Sequence, residues 1–539
     1  MSLSKRIFSV CLAVIMLAGL LYAAVPALAD AGAVEDQRKY PTLMIRGKAA
    51  SIYNYVGTEE EHIVYDSDTG RVPVPDGYIE EALKEYLPLL AKGILLNNYN
   101  EWANAVAHVL DPIYKDFRPD ENGDPQYDSG TKYTLPKNDT KGANGLYDPD
   151  GCNVFCDWRL DPLVCADVIK ESVDNIKRVT GAQKINISAL CEGGCFLLAY
   201  LQKYGHEDIG TIIFDKTCMN GCTMASNTFA GKIHIDADMV DAFVTDSLNG
   251  DRAYSFGQGL FEDEVYYDLI KYLVTYLNDT YGLDMAVKLV NRILTKTKDI
   301  IFPGFIMDCY GTCLSYWAMV DEDDFGDAVD LLLKDPKYSV LKERAEYYHE
   351  NVMLKQDEIL KLCAEDGVNV HFLALYGGAM PPLFEDDVML NDNLVTTADM
   401  SLGATTAKIG EKLSDSYIAS RKAAGFGEYI SADGQVDAST CLFPDTTWFV
   451  KNADHDEIYW CLNMRNYILA NGGSITVKDD PTHPQFRIRL EDRTTIVPLT
   501  EENADQQLVK QPLGFFENLK ALLKIIVTLI RDKLRTMFK

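Results

Sequence analysis

Residues 185–205, "INISALCEGGCFLLAYLQKYG", open as a run of buried-strand residues, turn on glycines and continue with helical periodicity. A strand, a sharp turn and a helix form the setting in which a G-x-S-x-G pattern presents a nucleophile. Here the five positions read Ala189, Leu190, Cys191, Glu192 and Gly193. Strand and helix approach closely at such a turn, so the residues two before and two after the nucleophile must be small; Ala189 and Gly193 are. The turn aims side chain 191 over the sheet edge at the start of the next helix, whose dipole favours an anion. A thiol, with an ordinary pKa of about 8.5, is acidified in such a place and further beside an imidazole. Cys191 in the serine position is therefore a competent acyl acceptor.

A nucleophile needs a base, and in this strand–turn–helix arrangement acid and base follow it in the chain. Of the eight histidines, His455 in "WFVKNADHDEI" directly follows a strand-like run, with His483 next. His371 lies inside a strand, and His62, His108 and His206 precede or abut the turn. Between nucleophile and base, "ISADGQVDAST" offers Asp433 on a glycine-containing loop. The expected set is thus Cys191, Asp433 and His455. The backbone amide of Glu192, with Gly47 or Lys48 in the loop after an early strand, would hold the oxyanion. A Glu192 carboxylate is awkward there, because its charge would oppose a thiolate.

Outward from the turn, the chain alternates strand and helix. "YPTLMIRG" (40–47) carries a short buried strand, and an amphipathic helix stopped by Gly181 precedes residues 184–190. "TIIF" (211–214), "VNVHFLALYGG" (368–378) and "TTWFVKN" (446–452) supply further strands, the last expected to end the sheet. This pattern predicts an α/β-hydrolase fold, a mostly parallel sheet with helices on both faces. Residues 235–365 are helical with almost no strand signal and read as a cap inserted over the site. The loop 119–151 is polar, and it lacks the central glycine of an EF-hand calcium loop. A fold domain over 30–500 then precedes a polar linker and a C-terminal helix within 501–539. That helix sets Phe515, Leu519, Leu522, Ile526, Leu529 and Met537 on one side, with six basic charges against two acidic ones over 515–539. It suits either an anionic membrane surface or a docking site on its own domain.

The first 29 residues read as a signal peptide: Lys5 and Arg6, an apolar core, then Ala27-Leu28-Ala29. An uncleaved anchor is the alternative. Export would place the protein outside the cytoplasm, secreted or in the cell envelope. Lys and Arg number 51 against 81 Asp and Glu, a net charge of −30, which argues against nucleic acid as a partner. Of thirteen cysteines, eight fall in C-x-x-x-C pairs: Cys152/Cys156, Cys191/Cys195, Cys218/Cys222 and Cys309/Cys313. Disulfides, buried free thiols and Cys₄ metal sites all stay open at this point. The catalytic set itself requires neither cofactor nor metal.

The motifs in order resemble the lecithin:cholesterol acyltransferase-like lipases. "CDWRLDP", "CEGGCFLLAYLQKYG", "LYGGAMPP", "SADGQVDAS" and "NADHDEI" are similar to that family's Y-D-W-R, elbow, Y-G-x-G-x-P, acid-loop and histidine-loop motifs, and "MIRGKAAS" to its oxyanion-loop strand. The resemblance spans roughly residues 40–460. It implies hydrolysis or acyl transfer on a lipid-like ester or thioester, with roles on Cys191, Asp433 and His455. The chain departs from the pattern at Cys191, Leu190 and Ala189, and at "DKTCMNG", where Lys216 and Cys218 stand in a loop that usually carries threonine, proline and histidine. The competing reading is an inactive hydrolase-fold binding protein of the cell envelope with Cys191 in a disulfide.

Overall fold

The computed structural model describes residues 40–131, 153–236, 240, 282–378, 389–490 and 495–505, apart from 49, 68, 69 and 76. The proposed leader and the C-terminal helix lie outside these residues, as do Cys152 and most of the loop 119–151.

Twelve strands are described: β1 (Thr42–Arg46), β2 (Ile52–Asn54), β3 (His62–Tyr65), β4 (Asn153–Phe155), β5 (Ile185–Leu190), β6 (Ile209–Asp215), β7 (Asn369–Tyr376), β8 (Thr405–Thr406), β9 (Val436–Asp437), β10 (Thr447–Lys451), β11 (Phe486–Arg489) and β12 (Ile496–Pro498). Eight of them form one sheet in the order β12-β11-β10-β7-β6-β5-β1-β4. Every pairing in it is parallel except β11 with β12. β5 sits between β1 and β6, with Ile187 opposite Leu43 on one side and Ile212 on the other. It is buried on both faces, polar Asn186 and Ser188 included, as a strand inside a parallel sheet must be. The fold is α/β, as expected. The sheet does not end at β10, however: β11 and β12 extend that edge. Their short alternating runs, buried at every second residue in β11, carry too weak an apolar signal to stand out.

Helix Pro162–Thr180 begins with Asp161 capping the Leu163 amide and ends on Gly181 in the left-handed conformation. It packs against helix Gly193–Tyr204, whose first nine residues are all buried. Between β6 and β7 the helices Gly282–Cys309, Leu314–Trp317, Glu322–Leu332 and Ser339–Asn351 form a block with a core of its own, including Phe229, Phe302, Trp317 and Phe325. Helix Gln356–Glu365 is different. Leu360 and Cys363 bury into the main core beside the sheet. It is the crossover helix that a parallel β6-to-β7 connection requires, rather than the end of the inserted block.

Candidate active site

The site is assembled at the carboxyl ends of the parallel strands, where α/β sheets hold their ligands. Cys191 directly follows β5 in the left-handed region, at φ 55°. That conformation is costly for a residue with a Cβ and marks a strained turn. Three close approaches hold it. A Cβ on Gly193 would lie 2.6 Å from the Ile45 carbonyl oxygen, and one on Gly194 would lie 2.7 Å from Thr217 Cβ. The Cys191 amide donates to the Asp215 carbonyl at 3.1 Å.

Cys218, His455 and the amide of Glu192 lie against the Cys191 thiol. The Cys218 contact, the imidazole and that amide together outweigh burial and hold the thiol well below its ordinary range. His455 shows the converse. Burial opposes its charge, but Asp392 and Cys191 press it well above the ordinary imidazole value. Both shifts run in the direction that favours a thiolate–imidazolium pair.

The carboxylate on His455 is Asp392, not Asp433. Asp392 Oδ2 lies 2.6 Å from His455 Nδ1, and the Asp392 carbonyl accepts the His455 amide at 2.7 Å. Nε2 is thereby left to face the thiol. The side chain of Asp392 is fully buried, and its other oxygen accepts the amides of Leu394 (3.1 Å) and Val395 (2.8 Å). Burial would lift its pKa, but His455 and these amides hold it below the usual carboxylate range. Asp433 is committed elsewhere: it pairs with Lys451 at 2.9 Å and accepts from Tyr376 at 3.1 Å and Ser431 at 2.5 Å. Both aspartates lie between β7 and β10, so chain order alone could not separate them. The usable signal was the Asn391-Asp392-Asn393 turn, a run suited to an aspartate that caps backbone amides.

His483 stacks on Tyr467 and pairs with Asp480 at 2.9 Å, and buried His371 contacts the Gly473 carbonyl at 2.7 Å. Neither belongs to the site.

The loop after β1 crosses the elbow at Gly47. A Cβ on Gly47 would stand 3.0 Å from the amide nitrogens of both Glu192 and Gly193, and 2.8 Å from Glu192 Cβ. Only glycine fits there. Amides at the start of a helix have no intrahelical acceptor, so this corner is rich in donors. Trp158 of the "CDWR" motif fastens the loop, its Nε1 donating to the Ala50 carbonyl at 3.1 Å. The Lys48 ammonium sits among the rings of Tyr65, Trp158 and Tyr310, 5.1 to 5.2 Å from each centroid. Desolvation there lowers its pKa.

Glu192 is 2% exposed, and neither carboxyl oxygen makes a well-formed hydrogen bond, though the Ser315 hydroxyl lies beside it. Burial, then the charge on Cys191, pushes its pKa up to about 8. At neutral pH it is mostly protonated, which removes the expected conflict with the thiolate.

All eleven described cysteines are free thiols, and ten of them are buried. Two of the C-x-x-x-C residues serve as packing: Cys218 Sγ lies 3.2 Å from Met319 Sδ, and Cys195 approaches the Cys218 and Ala318 carbonyls. Among the described residues no group of three or more His, Cys, Asp or Glu side chains is arranged to hold a metal ion.

Fold and site together define an α/β protein with a strained elbow that carries a cysteine. No family model matches the chain, and no curated protein matches it. Among solved structures the chain is similar to one in the crystal structure of the Tle4–Tli4 complex, at 11% identity and a TM-score of 0.23, over 64% of this chain and 76% of that one. A likeness of that size carries no argument about activity.

Proposed function

We propose that the protein is an esterase, lipase or O-acyltransferase that attacks a lipid-like ester or thioester through Cys191, His455 and Asp392. The observation that carries this is the Cys191 thiol in contact with the His455 imidazole, whose far nitrogen is held 2.6 Å from Asp392. In acylation the thiolate adds to the carbonyl carbon, and the amides near Glu192 and Gly47 take the oxyanion. The His455 imidazolium then protonates the leaving oxygen of an ester, or the leaving sulfur of a thioester, as the C–O or C–S bond breaks. In deacylation neutral His455 takes a proton from water or an alcohol, whose oxygen attacks the acyl thioester, and Cys191 departs as thiolate.

The motif order supports kinship with the lecithin:cholesterol acyltransferase-like lipases. The leader-like residues 1–29 support export, and the basic amphipathic segment 515–539 supports peripheral contact with a lipid surface. Among the described residues no helix is long and apolar enough to cross a membrane. The helical block before β7 would cap the acyl pocket.

The test is turnover of p-nitrophenyl acyl esters with mass spectrometry of the quenched enzyme. An acyl adduct on Cys191, and loss of both adduct and turnover in a folded Cys191→Ala protein, support the reading. Wild-type turnover in that variant overturns it. A Cys191–Cys218 disulfide in protein isolated without reductant would favour the inactive binding protein, a reading that the contact between these two thiols keeps in play.

A further inference from the structure

We propose that Lys216 is the positioning residue that sets the reach between Cys191 and His455, by tying both of their loops to the end of β6. The proposal rests on the Cys191–His455 pair described above. Lys216 follows β6 in the left-handed conformation at φ 49°, and its own amide donates to the Leu373 carbonyl of β7 at 3.0 Å. The residue before it, Asp215, accepts the Cys191 amide at 3.1 Å. This dipeptide therefore grips the nucleophile by its backbone.

The side chain grips the base. Lys216 Nζ donates to the Glu457 carbonyl at 2.7 Å, two residues beyond His455, and lies 3.6 Å from Cys461 Sγ and 3.4 Å from Asp215 Oδ1. The turn it holds is closed by the Glu457 amide on the Asp454 carbonyl at 2.9 Å. Its far side is braced by Glu457, whose carboxylate pairs with Arg489 at 3.1 Å and accepts the Trp460 amide at 2.8 Å. Asp392 holds the same turn from above. The turn that carries His455 is thus held by Lys216, Glu457 and Asp392, and Lys216 is joined through the Asp215 carbonyl to the backbone of the nucleophile.

A buried ion pair is by itself weak evidence of a stabilising role. Lys216 is 2% exposed, and a buried ion pair can often be replaced by neutral groups of similar size without loss. A long, rigidly held donor that spans two catalytic loops accounts for this lysine, because misplacing a reacting group by about 1 Å can cost on the order of 100-fold in rate.

The experiment follows iodoacetamide alkylation of Cys191 against pH by mass spectrometry, with kcat and KM on p-nitrophenyl butyrate and thermal unfolding. The proteins are Lys216→Met, the double variant Asp215→Asn/Lys216→Met, which leaves no unpaired buried charge, and Lys216→Arg, which keeps the charge but moves the donor. The groups facing Lys216 are Asp215, Cys461, the Glu457 carbonyl and, by its charge, Asp392. Those facing the reacting pair are Asp392, Cys218, Glu192 and, by their charge, Lys48 and Cys222. The expected result is an alkylation midpoint raised by about one pH unit or more, since a thiol that loses its imidazole returns toward its ordinary value. With it, kcat falls roughly 10- to 100-fold while KM stays within about threefold. A folded double variant with the wild-type midpoint overturns the proposal. If neither methionine protein folds, an unchanged midpoint in Lys216→Arg overturns it. Alkylation needs no substrate, so wild-type protein that turns over no ester refutes the enzymatic reading and leaves this one standing.

Discussion

Asp392 holds His455 twice, through its side chain at 2.6 Å from Nδ1 and through its carbonyl on the histidine amide at 2.7 Å. The double contact fixes both the ring and the turn that carries it, so the aim of Nε2 is set by the fold. Asp433, in the same connection between β7 and β10, spends its charge on Lys451.

These two aspartates should separate cleanly on mutation. Asp392→Asn is expected to lower kcat by about 10² to 10⁴, as for an asparagine that leaves the wrong histidine tautomer. Asp433→Asn should leave the rate within a few fold but strand the buried Lys451 ammonium, at a cost of about 3–5 kcal/mol. Esterase kinetics and urea unfolding of both proteins read the two effects separately.

Glu192 makes stability fall as pH rises. Its folded pKa, about 8, lies above the unfolded value near 4.3, so the folded chain keeps a proton that the unfolded chain has released. Its contribution is complete below about pH 4.3, declines up to about pH 8 and is level beyond, a loss on the order of a few kcal/mol. Glu192→Gln should flatten this slope. Urea midpoints measured from pH 5 to pH 9 check it, and parallel slopes in the two proteins would count against a neutral Glu192.

Gly47→Ala should block the oxyanion corner without touching the nucleophile. The added methyl meets Glu192 Cβ at 2.8 Å and two amide nitrogens at 3.0 Å. A fall in kcat of about 10² to 10³ is expected, the magnitude for losing one oxyanion donor. Alkylation of Cys191 should persist.

Thiol chemistry should be selective. Burial pushes Cys222, Cys309, Cys363 and Cys441 up to about 12, whereas the contacts around Cys191 pull it down. Brief iodoacetamide treatment of native protein near pH 6.5 should modify Cys191 alone among the described cysteines. Peptide mapping checks this, and equal labelling at several sites would contradict the thiolate assignment.

How much of this was legible in the sequence depended on whether a signal was local. The elbow could be read because Ala189, Cys191 and Gly193 satisfy a steric demand within five residues. β5 and β7 could be read because both are rich in apolar and β-branched residues next to glycine turns. His455 could be placed because it follows β10 by four residues. Asp392 could not be distinguished from Asp433, since which of them meets the imidazole depends on how a long connection folds back. Lys216 had no local signal at all: its partners lie on β7 and in the His455 turn. The protonated state of Glu192 is likewise a product of burial that spacing alone does not reveal.

The left-handed backbone at Cys191 has one more consequence. A side chain held there costs on the order of 1–3 kcal/mol that a residue without a Cβ would not incur. Cys191→Gly should therefore melt at a higher temperature than the native chain while performing no chemistry. Left to selection for durability alone, this joint would relax to glycine; under the proposed function, the sulfur kept under tension there exchanges robustness for reactivity.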